Sequence, residues 1–209
     1  MNRDLFEKAM GAELRRPLAA LGLANLGTLD SLRSTNCGGQ TLRFGGRIDP
    51  EGHFHIGGTA GVIFREVQEV LACRGKSGSA LSPTIVMPFH LLGVDAKFFD
   101  WELKNIDEAA NVASEIVTYV RLHVLPFFDQ NDRIESIWEA LLQPLPSSWF
   151  LLTPEQRVLT LAAIEFLSGF AERAIERLDR ALAERAEEPP KRLLELQKLR
   201  THLGELRPE

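Results

Sequence analysis

The spacing of apolar residues near the start of the chain predicts an amphipathic helix from about Asp4 to Leu21. Its apolar positions recur every three or four residues, the step that places them on one face of a helix. They are Leu5, Phe6, Met10, Leu14, Leu18 and Leu21. We expect Pro17 to kink or shorten this helix, and Gly22 to end it.

Polar and glycine-rich sequence from 24 to 39 predicts a loop with a short helical turn around Leu29–Leu32. Apolar and polar residues then alternate in Thr41–Phe44 and again in His53–Ile56, on either side of Asp49–Gly52. Two alternating runs around a turn that contains proline and glycine are typical of a β-hairpin.

The next segments carry weaker signals. Val62–Phe64 and Val67–Leu71 each fit a further strand or a short helix, and the pattern leaves both open. Thr84–Leu92 begins with β-branched and apolar residues and predicts a strand, which Pro88 would confine to a sheet edge or a bulge. Lys97–Trp101 fits a short strand or a loop.

A pair of helices is predicted to follow. Asn105 and Asp107 can cap the first, which should end at Leu125 because Pro126 disfavours helical angles in the residue before it. Its apolar face comprises Ala109, Val112, Ala113, Ile116, Val117, Val120 and Val124. Asp129 or Asn131 would open the second, short helix. Its inward residues would be Ile134, Ile137, Trp138, Leu141 and Leu142.

The segment LQPLPSSWF predicts a boundary between an α+β domain, residues 1–146, and a helical tail, residues 147–209. Thr153–Gln156 has a capping residue, a proline at the first helical position and an acid and an amide in the first turn. We expect helix from there to about Ala186, interrupted at Ser168–Gly169, and a last helix over Lys191–Leu206. The fold class is therefore α+β, with an N-terminal helix, a small antiparallel sheet, a helical pair and the tail.

Part of the tail resembles a single tetratricopeptide-repeat unit. Ala162, Ala174, Leu178 and Ala181 stand where that family has small or gap-filling residues between two helices. Glu165 replaces the usual aromatic residue, and one repeat is visible where such arrays need about three. A plain helical hairpin is the alternative that this pattern leaves open.

The order of elements from about Asp4 to Leu142 resembles an uncharacterised bacterial family, the domain-of-unknown-function family 4304. The resemblance rests on LAALGL from Leu18, on LRFGGRIDPEGHFHIG, on FDWELKNIDEAA and above all on VLPFFDQ at residues 124–130. It implies an α+β fold and no established reaction, and it suggests an accessory role or one in bacterial conflict.

Composition narrows the function classes. Hydrophobic residues make up 44% and charged residues 25%, as in an ordinary globular domain, and the net charge is -5. This mild acidity gives no reason to expect nucleic acid as a partner. Acidic residues interrupt the apolar start, and no run of about eighteen apolar residues occurs, so we expect a soluble cytoplasmic protein. Cys37 and Cys73 are expected to be free thiols.

His53 and His55 are the sharpest candidates for chemistry. Side chains at positions i and i+2 of a strand point to the same face, so two imidazoles there could bind zinc or iron or share acid–base work. A metal site needs a third ligand, and the sequence offers five without a supporting spacing. They are Asp49, Glu51, His90, Asp95 and Asp100. The alternative is an exposed polar strand face, and no cofactor is predicted.

Other candidates have simpler explanations. Gly57–Gly61 could present backbone N–H groups to an anion, and Gly75–Ser77 looks like the end of a phosphate loop, but both are more simply glycine-rich turns. His90 and His123 are predicted to be structural, His123 because it lies near the C-terminal end of a helix.

Aromatic residues suggest where a partner or ligand would bind. Most of them should be core, while Trp101, Trp149 and Phe150 are the candidates for contact. The favoured function is a non-enzymatic protein-binding or accessory module, immunity-like in character. The alternatives are a small metal-dependent enzyme that uses His53 and His55, and a homodimer formed through the C-terminal helices. The leucines of that dimer would be Leu193, Leu196, Leu199 and Leu203.

Overall fold

The computed structural model describes residues 2–74, 82–93, 101–143 and 152–206. It has the predicted α+β architecture, with a sheet that includes an antiparallel hairpin and helices before and after it. The contacts divide the chain into two compact units, residues 1–62 with 86–132 and residues 63–85 with 133–209. The predicted boundary after residue 146 falls outside the described residues and stays a prediction. No helix in the described ranges is both long enough and apolar enough to cross a membrane.

The N-terminal helix α1 spans Arg3–Ala20, so the prediction for this segment is confirmed. Pro17 lies inside the helix without ending it. Gly22, with a φ of 80°, ends it by a Schellman motif, in which the N–H of Gly22 donates to Ala19 and that of Leu23 donates to Leu18. Leu18 and Leu23 are both buried, which supplies the apolar contact that accompanies this motif.

The sheet has six strands, ordered β1-β2-β3-β4-β5, and β6 pairs with β4 as well. Their bounds are Ala24–Asn25 (β1), Asp30–Thr35 (β2), Gly38–Ile48 (β3), Phe54–Phe64 (β4), Ile85–Pro88 (β5) and Trp101–Leu103 (β6). The predicted hairpin is therefore confirmed as β3 and β4, and β5 is at an edge, as Pro88 indicated. The predicted loop over 24–39 is wrong, because β2 pairs along its whole length with β3 across a two-residue turn, Asn36–Cys37.

Two glycine positions allow aromatic rings to pack directly on the sheet of the first unit. A Cβ atom on Gly46 would lie 2.0 Å from the ring of Phe54, and one on Gly58 would lie 2.4 Å from the ring of Phe89. Gly57–Gly61, predicted as a turn or an anion loop, is thus the interior of strand β4. Its small residues leave space for an aromatic ring instead of forming a turn.

An aromatic cluster fills the core of this unit around Phe89. The ring centroid of Phe89 lies 5.5 Å from that of Phe44, 5.6 Å from Tyr119 and 6.2 Å from Trp101. The Tyr119 hydroxyl donates a hydrogen bond to the Phe89 carbonyl, and burial raises the pKa of this phenol. The phenol therefore stays protonated and keeps donating across the ordinary pH range.

The helix after β6 does not stop at Pro126. Helix α3, Ala109–Tyr119, continues through a π-helical turn, Val120–Val124, into α4, Leu125–Gln130. The wider turn is closed by the N–H of Leu125, which donates to Val120 five residues back. A proline in a regular helix clashes with the carbonyl four residues earlier, and the extra residue per turn comes directly before Pro126. The predicted helix end is therefore wrong.

Asn131 also acts differently from the prediction. It ends α4, with its side-chain amide donating to the Phe127 carbonyl at 2.8 Å, whereas α5, Ile134–Leu142, begins after Arg133. Of the predicted inward residues of α5, Ile137 and Leu141 are fully buried and Leu142 is exposed.

The second unit is largely helical. Its elements are α2 (Arg65–Leu71), α5, α6 (Pro154–Leu167), α7 (Ala171–Glu184) and α8 (Pro190–Glu205). Val67–Leu71, left open between strand and helix, is thus helical, while Val62–Phe64 ends strand β4. Helix α6 begins with the predicted capping box, in which Thr153 and Gln156 bond to each other's backbone N–H at 3.1 and 2.9 Å.

Helices α6 and α7 are joined at Ser168–Gly169, as predicted. Gly169 has a φ of 83°, and the N–H of Phe170 donates to the Glu165 carbonyl in a second Schellman motif. Ala162, Ala174, Leu178 and Ala181 are all buried, as in closely packed helices. The tetratricopeptide resemblance itself stays a prediction.

Glu165 is fully buried in this helix pair. Arg177 contacts both of its carboxylate oxygens at 2.8 and 2.6 Å, and Arg173 adds a contact at 3.0 Å. The hydrogen bond that Arg177 donates to Glu165 is the main cause of the raised pKa of Arg177. A buried carboxylate needs such partners because removing it from water without them is costly.

The leucines expected to form a dimer are not exposed. Leu193, Leu196, Leu199 and Leu203 are buried within the second unit of a single chain. A homodimer through the C-terminal helices stays a prediction, and it would have to use residues other than these four leucines.

Substitutions at two adjacent glycines of β3 test whether the Phe54 ring needs a residue without a side chain beneath it. We expect Gly46→Ala to lower the free energy of unfolding by about 1–3 kcal/mol, because Phe54 is fully buried and cannot move away. Gly45→Ala is the matched control, since a Cβ atom there meets nothing within 4 Å, and it should leave stability unchanged or raise it by up to about 1 kcal/mol. Urea denaturation measures both, and equal losses would contradict the proposed packing.

Candidate functional site

The candidate site lies at the turn of the β3–β4 hairpin. The N–H of Asp49 donates to the His53 carbonyl at 3.0 Å, and Gly52, with a φ of 91°, donates back to Asp49 at 3.1 Å. This closed turn brings Asp49, Glu51 and His53 together. Strand β6 adds Glu102, which lies opposite His55 in the antiparallel register with β4.

Asp49 is the most constrained residue of this cluster. One carboxylate oxygen accepts the backbone N–H of His53 at 2.8 Å, and the other lies 3.0 Å from Nε2 of His55. These contacts hold the pKa of Asp49 at about 2, mainly through the hydrogen bond from His55, with smaller contributions from His53. Asp49 is therefore a fixed negative charge at any ordinary pH.

His53 faces three carboxylates. Its Nδ1 atom lies 2.8 Å from Oε1 of Glu102, 3.7 Å from Oδ2 of Asp49 and 3.9 Å from Oε2 of Glu51. The imidazole is 26% exposed, so solvent and ions reach it while one side stays against the protein. An imidazole among several carboxylates can bind a cation or exchange a proton.

Asp49, Glu51 and His53 have the arrangement of a metal-ligand set. One ligand atom from each lies within 4.8 Å of the other two. Four ligands at zinc distances of about 2.0–2.1 Å in a tetrahedron stand roughly 3.4 Å apart. The distances from His53 to the two carboxylates, 3.7 and 3.9 Å, exceed this by roughly 0.3 and 0.5 Å, so the side chains would have to move closer together to hold an ion.

His55 contributes to the cluster in a different way from His53. It lies outside this three-residue group, and its Nε2 atom orients Asp49. Strand β4 begins at Phe54, so His53 belongs to the turn and the two imidazoles contact different carboxylates most closely. As site residues, His53 and His55 stay predictions.

The remaining candidates are not gathered here. Trp101, predicted as a candidate for contact with a partner or ligand, is instead buried against Phe89 and Tyr119. Its edge also lines an open groove along α3. The ring of His123 packs 4.5 Å from that of Tyr119, in accord with a structural role. Several candidates lie outside the described residues, namely Gly75–Ser77, Asp95, Asp100, Trp149 and Phe150.

The sequence did not predict Glu102 as a site residue, and Asp49 and Glu51 were only two of the five possible third ligands. The signal for the last two was local, because acids two and four residues before His53 fall on one tight turn. Glu102 carried no such signal, since it reaches His53 only through the pairing of β6 with β4.

Because the pKa of Asp49 is lowered in the folded state, the stability of the protein should depend on whether this carboxylate is charged. A depressed carboxylate pKa stabilises the folded state above the unfolded value near 4, and this stabilisation disappears as pH falls from about 4 to about 2. Asp49→Asn should therefore lower the melting temperature at pH 7 and leave it close to wild type at pH 2. Asp132→Asn removes the same charge at an exposed position and controls for net charge. A gap between wild type and Asp49→Asn that persists at pH 2 would contradict the assignment.

Comparisons with protein-family models, with curated proteins and with solved structures found no match. The resemblance to the domain-of-unknown-function family 4304 therefore stays a prediction, and the site is interpreted from its own chemistry.

Proposed function

We propose that the protein binds a divalent transition-metal ion at the β3–β4 turn, through Asp49, Glu51 and His53. The observation that carries this proposal is the position of His53 Nδ1, which lies 3.7 and 3.9 Å from carboxylate oxygens of the other two residues. The metal hypothesis for His53 and His55 thus changes in one respect. His55 is no longer a proposed ligand, and it holds the ligand Asp49 in place through a hydrogen bond.

The donor types favour zinc or a neighbouring transition metal over calcium or magnesium. Imidazole nitrogen is a good ligand for zinc, copper, iron and nickel, whereas calcium and magnesium prefer sites built from oxygen alone. Asp49 would bind as a charged carboxylate throughout the ordinary pH range. His55 and the backbone N–H of His53 hold this carboxylate in place, as outer-shell hydrogen bonds do in metal sites.

Binding is coupled to a proton. A metal takes only an unprotonated imidazole nitrogen, so His53 Nδ1 must give up its 2.8 Å contact with Glu102. Because protonation of the imidazole competes with the ion, the ion should bind more weakly as pH falls. Three protein ligands leave a coordination position for water, whose pKa zinc lowers to about 7. That open position is the basis for the enzymatic version of this proposal, metal-assisted hydrolysis.

Zinc titration of chelator-treated protein tests the proposal. Calorimetry at pH 7.5 should show one ion per chain, His53→Ala should weaken binding by at least about tenfold, and His55→Ala should weaken it to a smaller extent. His202→Ala, in the last turn of α8, is the control and should bind as wild type does. Equal affinities in wild type and His53→Ala, or no binding in either, would overturn the proposal.

A second candidate is contact with another protein, as in the accessory or immunity-like role expected from the sequence. Exposed apolar side chains of the second unit favour it. Phe170 is 48% exposed and stacks on Trp138 with ring centroids 6.0 Å apart, and Leu167 beside it is also exposed. The indole N–H of Trp138 has no hydrogen-bond partner within the described residues. The cytoplasm stays the proposed compartment.

Affinity capture from source cells, followed by quantitative mass spectrometry, tests this second candidate. Phe170→Ser should lose a protein that wild type captures by about tenfold or more, because exposed aromatic residues dominate contact energies. Leu206→Ser is the control, since that side chain is equally exposed at the end of α8. Identical protein sets from all three baits would argue against a contact surface at Phe170.

A further inference from the structure

An open groove runs beside α1 in the first unit, away from the β3–β4 turn in sequence. It has a volume of about 600 Å³ and is formed by one face of α1 together with β1 and the segment after it. The lining residues are Lys8, Gly11, Ala12, Arg15, Asn25, Leu26, Gly27 and Thr28.

The floor of the groove depends on a glycine. A Cβ atom on Gly11 would lie 2.3 Å from the Thr28 carbonyl oxygen, so the segment at Thr28 can rest on α1 only at this position. The side-chain oxygen of Asn25 accepts the N–H of Gly27 at 3.3 Å, and Leu26 donates its N–H to the Asp30 carbonyl at 2.9 Å. These bonds fix the wall opposite the helix.

Two basic side chains stand at the ends of this groove. Lys8 and Arg15 are seven residues apart on α1, which separates their backbone positions by roughly 10 Å. Both are exposed, and neither forms an ion pair or hydrogen bond within the described part of the chain. Arg3 on the same helix differs, because it pairs with Glu7 at 2.7 Å. No acidic residue of the described chain lines the groove.

The charge and shape together indicate an anion. Lys8 and Arg15 place two positive charges along one concave surface of a chain whose net charge is -5. Long lysine and arginine side chains can both reach a single chain of phosphates, lysine as a point charge and arginine as a two-pronged donor. Leu26, half-exposed on the opposite wall, offers an apolar surface for a ring.

We propose that this groove binds a phosphorylated small molecule that carries a ring. Lys8 and Arg15 hold its phosphate chain, the amide of Asn25 and the hydroxyl of Thr28 offer hydrogen bonds, and the ring packs on Leu26. This site is separate from the proposed metal site, since it shares no residue with it.

Calorimetry with ATP and with inorganic tripolyphosphate tests the proposal, in chelator-treated protein so that no metal bridges the phosphates. ATP should bind, and tripolyphosphate should bind more weakly because it lacks the ring. Arg15→Gln and Ala12→Glu should each weaken ATP binding by about tenfold, the first by removing a phosphate contact and the second by placing a negative charge in the groove. Backbone amide shifts in NMR spectra should change at Gly11, Leu26 and Gly27.

Arg16→Gln is the matched control. It removes the same charge one residue away, at an exposed position that does not line the groove, and should change affinity by less than about twofold. His53→Ala should leave ATP binding unchanged, which separates this test from that of the metal site. Equal losses in Arg15→Gln and Arg16→Gln, or absence of ATP binding, would overturn the proposal. Equal affinities for ATP and tripolyphosphate would overturn the assigned ring contact.

Discussion

The packing of the Phe89 ring on Gly58 is the constraint on which the first unit depends. A side chain on residue 58 would occupy the position of this ring, so a bare backbone in the middle of β4 is what lets Phe89 reach the sheet. Phe89 then packs against Trp101, the first residue of β6. Because β6 is anchored in this way, Glu102 lies opposite His55 and its carboxylate reaches His53. The charged cluster at the surface therefore depends on an apolar contact in the core.

The elements that the sequence predicted well are those with local signals. Gly22 and Gly169 adopt positive φ and end their helices, and Thr153 and Gln156 form a capping box from residues three positions apart. Strand β2 lacked such a signal, because its polar residues resemble a loop and become a strand only by pairing with β3. The candidate site divides in the same way. The turn acids near His53 were visible in the sequence, whereas Glu102 depends on pairing between segments almost fifty residues apart, which no local pattern encodes.

The second unit contains a buried carboxylate that is paired with two arginines. Glu165 is fully buried, and it is held by Arg173 and Arg177. Taking the Glu165 carboxylate out of water costs free energy, which offsets much of its attraction to the two arginines. The carboxylate does favour one pairing of α6 and α7, since the buried Glu165 of α6 is paired with arginines that α7 supplies. The charged residues therefore contribute to the specificity with which α6 and α7 pack against each other.

The π-helical turn at Val120–Val124 has a consequence for how this part of the chain can vary. A π turn holds one residue more than an α turn. The side chains that follow it are therefore rotated about the helix axis by about 100° from the positions they would have in a continuous α-helix. Adding or removing one residue in this segment would therefore rotate the buried Phe127 and Phe128 of α4 by about 100° relative to the buried face of α3. The length of the segment between Tyr119 and Pro126 is consequently under stronger constraint than the identity of most residues within it. Relatives of this chain should tolerate substitutions there, such as at the exposed Leu122, far more readily than insertions or deletions.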